Sequence, residues 1–238
     1  ISTKYSPVPW TNLLVGGGLR LGRAATLEAL RNSLQRLGAG SVALYSLAAP
    51  LPGGIGLRAF FEGVGEAYQL GLVDAVGVCG FRTRQLREAS RLAARVGVPL
   101  VTNQVRFSYF NLDAELDGTI ETCLELGIAP LARSPLAGGL ATTRAVARAA
   151  AGSGGLFRRP RGGLSRVFDA TQLAALVPPL RELSEVADVS ERRTATQVAL
   201  QFAAGRGCVP MPCVTTGEQA AELVATTEWE LELSELQA

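Results

Sequence analysis

Apolar residues along this chain fall into two alternating kinds of run. Short strand-like runs, apolar for most of their length, stand at Val42–Leu47 and at residues 75–79, 100–104, 129–132 and 208–212. Between most of them, leucine, alanine and valine recur every three or four residues over longer stretches. An apolar run without polar alternation fits a strand buried on both faces, and the longer spacing fits an amphipathic helix. Residues 70–81 set the unit: a helical run ends, Gly71 turns the chain, a strand follows at 75–79, and Gly80 opens a loop before a helix from Thr83. Strands that alternate with helices predict βα units and a parallel sheet, open or closed.

Taken in order, residues 1–4 read as the end of a strand, and the absence of a methionine or targeting segment before them predicts a fragment or a processed form. Pro7, Pro9 and Gly16-Gly17-Gly18 predict a loop. Thr26 is expected to cap a helix whose stripe is Leu27, Leu30, Leu34 and Leu37, ended by Gly38. Further helices are expected at 57–70, 83–96, 117–126, 171–189, 194–204 and 217–225, the last with an N-terminus suited to an anion. From Gly138 to Phe168 there are six arginines and no acidic residue. A basic, glycine-rich loop after a strand suits a phosphate-bearing ligand, and a solvated lid fits the same composition. Trp229 and the acidic tail 228–235 are expected to cover the outside. No linker interrupts the pattern, which predicts one domain over 1–238.

Composition narrows the function classes. The 238 residues are 47% hydrophobic and 18% charged, a globular balance with enough chain for a sizeable core. A net charge of +2 does not suggest nucleic acid, and no apolar run is long enough to insert in a bilayer. Cys79, Cys123, Cys208 and Cys213 form no CxxC pair and there is no histidine, so no metal site is expected and the cysteines read as reduced core thiols. Lys4 is the only lysine among 23 basic residues. A site that needs a compact ammonium with a tunable pKa would keep a lysine where arginine serves elsewhere; chance placement explains it as simply. Asn103 and Gln104 put two amides at a strand's C-terminal end, where parallel α/β folds build their sites; they also suit a loop cap.

Several of these residues together carry a family likeness. Ser2-Thr3-Lys4, the run Leu44-Tyr45-Ser46-Leu47-Ala48-Ala49-Pro50, Val76-Gly77-Val78, Asn103-Gln104, Ser134-Pro135-Leu136, and Pro210-Met211-Pro212 with Glu218-Gln219 resemble, in order and spacing, the aldo/keto reductase family. Thr3-Lys4 to Pro9-Trp10 and Ser153-Gly154-Gly155 to Arg161-Gly162 are most similar to plant and algal plastid members. The resemblance implies a (β/α)8 TIM-type barrel, here N-terminally incomplete with about six parallel strands. Ile1 then lies on the third family strand, and two βα units with the catalytic Asp and Tyr belong upstream. It also implies NADPH-dependent reduction of an aldehyde or ketone, NADP(H) as cofactor, a small-molecule carbonyl substrate, and residence in the chloroplast, or otherwise the cytoplasm.

By the same resemblance Lys4 is the catalytic lysine, which lowers the pKa of the proton-donating Tyr. Asn103, Gln104, Arg133, Ser134, Leu136, Gly138, Thr215, Thr216, Gln219 and Glu222 fall at cofactor-binding positions. Four departures stand out: Ala48 replaces the histidine that orients the carbonyl, Cys79-Gly80 the Ser-Asn pair, Arg133 the aromatic ring stacked on the nicotinamide, and Thr215 the lysine near the adenosine phosphate. Three readings follow: a weakened reductase, a non-catalytic relative acting as a structural or interaction subunit with a protein partner, and an unrelated α/β barrel enzyme.

Overall fold

The computed structural model of the chain describes residues 1–7, 21–150, 178–179, 182, 185–187 and 193–230. The loop at Gly16-Gly17-Gly18, Trp10, most of the helix expected at 171–189, the arginines from 158 to 166 and the tail beyond 230 lie outside the described residues. Strands β1 (Ser2–Tyr5), β2 (Val42–Leu47), β3 (Val73–Cys79), β4 (Leu100–Arg106), β5 (Ala129–Arg133) and β6 (Val209–Met211) follow one another in a six-stranded sheet in chain order. The pairs β1–β2, β2–β3 and β3–β4 are parallel. The described helices between strands are α1 (Arg23–Leu37), α2 (Leu57–Gln69), α3 (Thr83–Val96), α4 (Asp113–Leu116), α5 (Thr119–Glu125), α6 (Thr143–Ala150) and α7 (Ala195–Ala204). After β6 comes α8 (Gly217–Val224). The alternation read from the apolar runs is the alternation observed.

The chain divides into two compact units, Ile1–Val105 with Ala114–Leu131, and Arg106–Asp113 with Ala132–Ala238. In the first unit, α1 packs on α2, α2 on α3, and α3 on α5. Strand residues that point toward these helices are fully buried: Tyr5, Tyr45, Leu47, Val76 and Val78. Tyr5 and Phe60 stack with ring centroids 5.7 Å apart, and Phe61 meets Phe60 edge-on at 5.4 Å. Burying an aromatic or aliphatic side chain of this size stabilises by about 1.5–3 kcal/mol, so this layer is the main source of cohesion in the unit. In the second unit the apolar cluster is Ala141, Ala195, Val198 and Ala199, flanked by Tyr109, Phe110, Leu136 and Trp229. The Arg193 guanidinium lies 4.0 Å from the Trp229 ring centroid, and Gln201 Nε2 donates to the Thr226 and Trp229 carbonyls.

Four sequence expectations change. Thr26 is not an N-cap: α1 starts three residues earlier after Gly22, and the buried Thr26 hydroxyl donates back to the Gly22 carbonyl at 3.3 Å. That bond suits a residue inside a helix as well as a cap does. Leu27, Leu30 and Leu34 form the buried stripe, whereas Leu37 in the last turn is 45% exposed. The helix expected at 117–126 starts at Thr119, because Gly118 adopts φ 72° as its N-cap, and a separate short helix, α4, precedes it. Cys79, Cys123 and Cys208 are buried thiols, and Cys213 is exposed because it stands in the loop between β6 and α8.

Candidate functional site

Strand alternation sorts the residues of the first unit onto two faces. Lys4 pairs in register with Ser46, Ser46 with Gly77, and Gly77 with Thr102, so one row of the sheet face opposite the buried core carries an amine and two hydroxyls. A Cβ on Gly77 would lie 2.4 Å from Thr102 Oγ1 and 2.6 Å from Ser46 Oγ. Only glycine lets the two hydroxyls close over β3. One step nearer the strand ends stand Ala48, Cys79 and Gln104. Ala48 follows β2, with its backbone N–H donating to the Tyr5 carbonyl at 2.8 Å, and its methyl offers no side-chain donor.

Gln104 gathers this edge. Its Oε1 accepts a hydrogen bond from Lys4 Nζ and one from Cys79 Sγ at 3.5 Å. Lys4 is on β1 and Gln104 on β4, with β2 and β3 between them. Three strand spacings amount to about 14 Å along a flat sheet. The contact therefore needs a sheet that curls toward its open face, as a barrel wall does. Lys4 makes no ion pair with a described carboxylate; five other ion pairs occur there, all made by arginine.

Asn103, the neighbour of Gln104, points the other way. It is 0% exposed, accepts from the Phe81 N–H at 3.3 Å and donates to the Phe81 carbonyl at 2.9 Å. The same amide approaches Cys123 Sγ at 3.6 Å. Burial pushes the Cys123 thiol pKa up, and the Asn103 contact pulls it partly back. The two adjacent amides thus sit on opposite faces: Gln104 meets Lys4, and Asn103 braces the chain between β3 and α3.

The second unit takes up the chain at Arg106 and again at Ala132, and so includes Arg133. After Arg133 the backbone is left-handed at Ser134 (φ 57°), Ala137 (φ 49°), Gly138 (φ 71°) and Gly139 (φ 99°). Positive φ in a serine and an alanine costs free energy, and such strain concentrates at ligand-binding turns. The turn is held by Ala137 N–H to the Ser134 carbonyl at 2.9 Å and by Gly139 and Ala141 N–H to the Leu136 carbonyl at 2.8 and 3.2 Å. The N–H groups of Leu136 and Gly138 make no hydrogen bond to another described residue. Free N–H groups in a left-handed turn suit an anion such as a phosphate.

Farther along, Thr216 caps α8 by accepting from the Gln219 N–H at 3.2 Å. Gln219 Oε1 accepts from the Thr215 N–H at 2.8 Å and the Thr215 hydroxyl at 3.0 Å. Glu222 Oε1 accepts from Thr194 Oγ1 at 2.6 Å and Thr143 Oγ1 at 3.2 Å. Thr143, Thr194 and the contact of Cys79 with Gln104 escaped the sequence reading. Thr194 had a signal, since Thr194 and Gln197 form a capping box that opens α7.

Among the described residues no three His, Cys, Asp or Glu side chains gather as metal ligands, and no helix is long and apolar enough to cross a membrane. A cavity of about 30 Å³ lies on the helix side of the first unit, lined by Tyr5, Leu47, Phe60 and Phe81 among others. It has room for one or two waters and is no cofactor site.

Comparison with known proteins agrees with this geometry. The sequence profile described as the aldo/keto reductase family matches residues 1–238. A chloroplastic pyridoxal reductase of Arabidopsis thaliana is 29% identical over 231 residues, 97% of this chain and 58% of that protein. Aldo-keto reductase AKR2E4 of Bombyx mori is 26% identical over 223 residues, 91% of this chain and 62% of that protein. The chain thus spans about three-fifths of the length of these relatives. A solved thermostable aldo-keto reductase, Tm1743, in complex with the inhibitor epalrestat matches with TM-score 0.72 and 25% identity over 99% of this chain and 68% of that one. The Bombyx mori enzyme in complex with NADP matches with TM-score 0.67 and 23% identity over 99% and 65%. The six parallel strands with their helices are those of an incomplete (β/α)8 barrel.

Proposed function

The chain belongs to the aldo/keto reductase family, and from that premise we propose that it is an NADP(H)-dependent carbonyl reductase of reduced turnover, with Lys4 as its catalytic lysine. The observation that carries this reading is the placement of the chain's single lysine at the C-terminal end of β1, against Gln104 at the end of β4. An ammonium held by a neutral carbonyl oxygen keeps its full charge available to a neighbouring phenol. At 4 Å and an effective dielectric of 20 that charge stabilises a phenolate by about 4 kcal/mol, or roughly three pKa units. Such a shift brings a tyrosine toward the range in which it gives up a proton at neutral pH.

The residues present suit a nicotinamide dinucleotide in part. The cofactor, when bound, supplies hydride to the carbonyl carbon. Gln104 offers an amide beside Lys4. Ser134, Leu136 and Gly138 offer a hydroxyl and two N–H groups for phosphate, while Thr215, Thr216 and Gln219 offer neutral groups at the start of α8. Glu222, held by two threonine hydroxyls, fixes α8 against the ends of α6 and α7. Asn103 supports the site from behind through Phe81. Arg133 stands where the family carries an aromatic ring and would offer its planar guanidinium to the nicotinamide.

Turnover is reduced for stated reasons. Ala48 supplies no donor to the developing oxyanion, and removal of one such donor costs about 10²–10³ in kcat. Cys79-Gly80 supplies a thiol already turned to Gln104 where the family has a Ser-Asn pair. The name of the Arabidopsis relative makes an aldehyde on an aromatic ring, of the pyridoxal kind, the first substrate to try and the chloroplast the first compartment. Ala48 also favours a second reading, a non-catalytic relative that keeps nucleotide binding and serves as a subunit for another protein.

The test is transfer of deuterium from 4-deuterated NADPH to an aldehyde by the full-length protein. Label in the product alcohol supports the reductase reading. Nucleotide binding without label in any alcohol supports the second.

A further inference from the structure

We infer that Arg106 and Arg133 select a carbonyl substrate that carries an anionic oxygen group, a carboxylate or a phosphate; this rests on the reductase reading above. The two residues end β4 and β5, neighbouring strands of the sheet. In β4 the buried residues are Asn103 and Val105, so alternation puts Arg106 on the opposite face, with Gln104. In β5 Ala132 is 0% exposed, so Arg133 likewise points away from the buried face. Both arginines are exposed, and neither guanidinium pairs with a described carboxylate. The nearest acid in sequence to Arg106 is Asp113, which accepts from Asn111 Nδ2 at 3.1 Å.

The residues that follow the six strands contain no acid: Ser6-Pro7, Ala48-Ala49, Gly80-Phe81, Phe107-Ser108, Ser134-Pro135 and Pro212-Cys213. Two like charges at the ends of neighbouring strands repel, and an anion held by both offsets that repulsion. Guanidinium forks match carboxylate and phosphate oxygens in pairs, and the C-terminal ends of parallel strands are where such folds bind ligands. The anion also resolves the difficulty of Arg133. At the position where the family carries the ring stacked on the nicotinamide, a guanidinium would face a ring that turns positive on oxidation, and a substrate anion on its N–H edge would offset that repulsion.

Arg106 discriminates best, because Arg133 falls at a cofactor position as well. The measurement is kcat/KM with NADPH in the full-length protein for two pairs of aldehydes: 4-carboxybenzaldehyde against 4-methylbenzaldehyde, and glyceraldehyde 3-phosphate against glyceraldehyde. The anionic member of one pair should be favoured about tenfold or more at low salt, and the pair that shows it tells carboxylate from phosphate. Arg106→Ala should cut that ratio about tenfold, and Arg106→Lys should restore part of it. Equal values for charged and neutral aldehydes would overturn the inference. So would a rise in KM for NADPH with the ratio intact, because Arg106 would then hold the cofactor. Absence of turnover with every aldehyde would overturn the reductase reading, and calorimetry with 4-(hydroxymethyl)benzoate would then decide the inference by itself. Binding weakened by Arg106→Ala would support it, and no binding would end it.

Discussion

Replacing Asn103 by alanine removes the bracket that ties β4 to the chain entering α3. The side chain is fully buried and makes two hydrogen bonds to Phe81, at 2.9 Å to its carbonyl and 3.3 Å from its N–H. Phe81 is itself 1% exposed, so water does not readily replace the lost partner. A buried group left unsatisfied costs about 1–3 kcal/mol. Two groups, one of them in a long bond, give about 2–4 kcal/mol. That is a large share of the 5–15 kcal/mol typical of a folded protein. Urea unfolding followed by circular dichroism should move to lower concentration by about 1 M for a slope near 2–3 kcal/mol/M. Asn103→Leu separates the hydrogen bonds from the packing, because it fills the space and still leaves Phe81 unpartnered; it should destabilise nearly as much. A change under about 0.5 kcal/mol in both variants, with NADPH affinity lost instead, would refute the bracket and return Asn103 to the cofactor.

Three further outcomes follow from the same geometry. Gly77→Val should destabilise by about 1–3 kcal/mol in the same unfolding assay, because its Cβ meets Thr102 Oγ1 and Ser46 Oγ well inside contact distance. A neutral result would mean that the hydroxyl row is loosely packed. Burial, then the hydrogen bond and charge of Glu182, raise the Tyr109 pKa above its ordinary value. Its contribution to stability is therefore whole below about pH 10 and is lost as pH rises further. Tyr109→Phe should flatten that alkaline fall, and an unchanged pH profile would count against the Glu182 contact. In the basic stretch, replacing Arg158, Arg159 and Arg161 together by alanine should weaken NADPH binding and flatten its salt dependence; unchanged affinity would make it a solvated loop.

The order of strands and helices was legible because buried parallel strands write themselves as short apolar runs, and all five that were read from such runs are present. What failed was local. Thr26 looked like a cap because hydroxyl residues favour both cap and first-turn positions, and the helix expected from residue 117 starts two residues later because Gly118 takes a left-handed cap conformation that its sequence context does not announce. The candidate site was legible at Lys4 and Gln104, where residue type and strand-end position coincide and the two side chains meet. Asn103 and Gln104 read alike in sequence, since both are amides, and only the pleat of β4 separates their faces. Arg106 was missed because the strand runs two residues past the apolar stretch that marked it, and alternation then continues the face of Gln104. The link of Thr143 and Thr194 to Glu222 joins residues far apart in the chain, and no local pattern records it.

The most direct test is steady-state oxidation of NADPH at 340 nm by the full-length protein with an aromatic aldehyde, comparing the unmodified protein with Lys4→Met and Ala48→His. Lys4→Met should abolish the slow turnover, because it removes the charge that acidifies the proton donor. Ala48→His should raise turnover, because one donor to the developing oxyanion is worth about 2.7–4 kcal/mol. If Lys4→Met leaves the rate unaltered and Ala48→His adds nothing, Lys4 is not a catalytic lysine and the proposed mechanism fails; no aldehyde-dependent oxidation with any of the three would end the reductase reading.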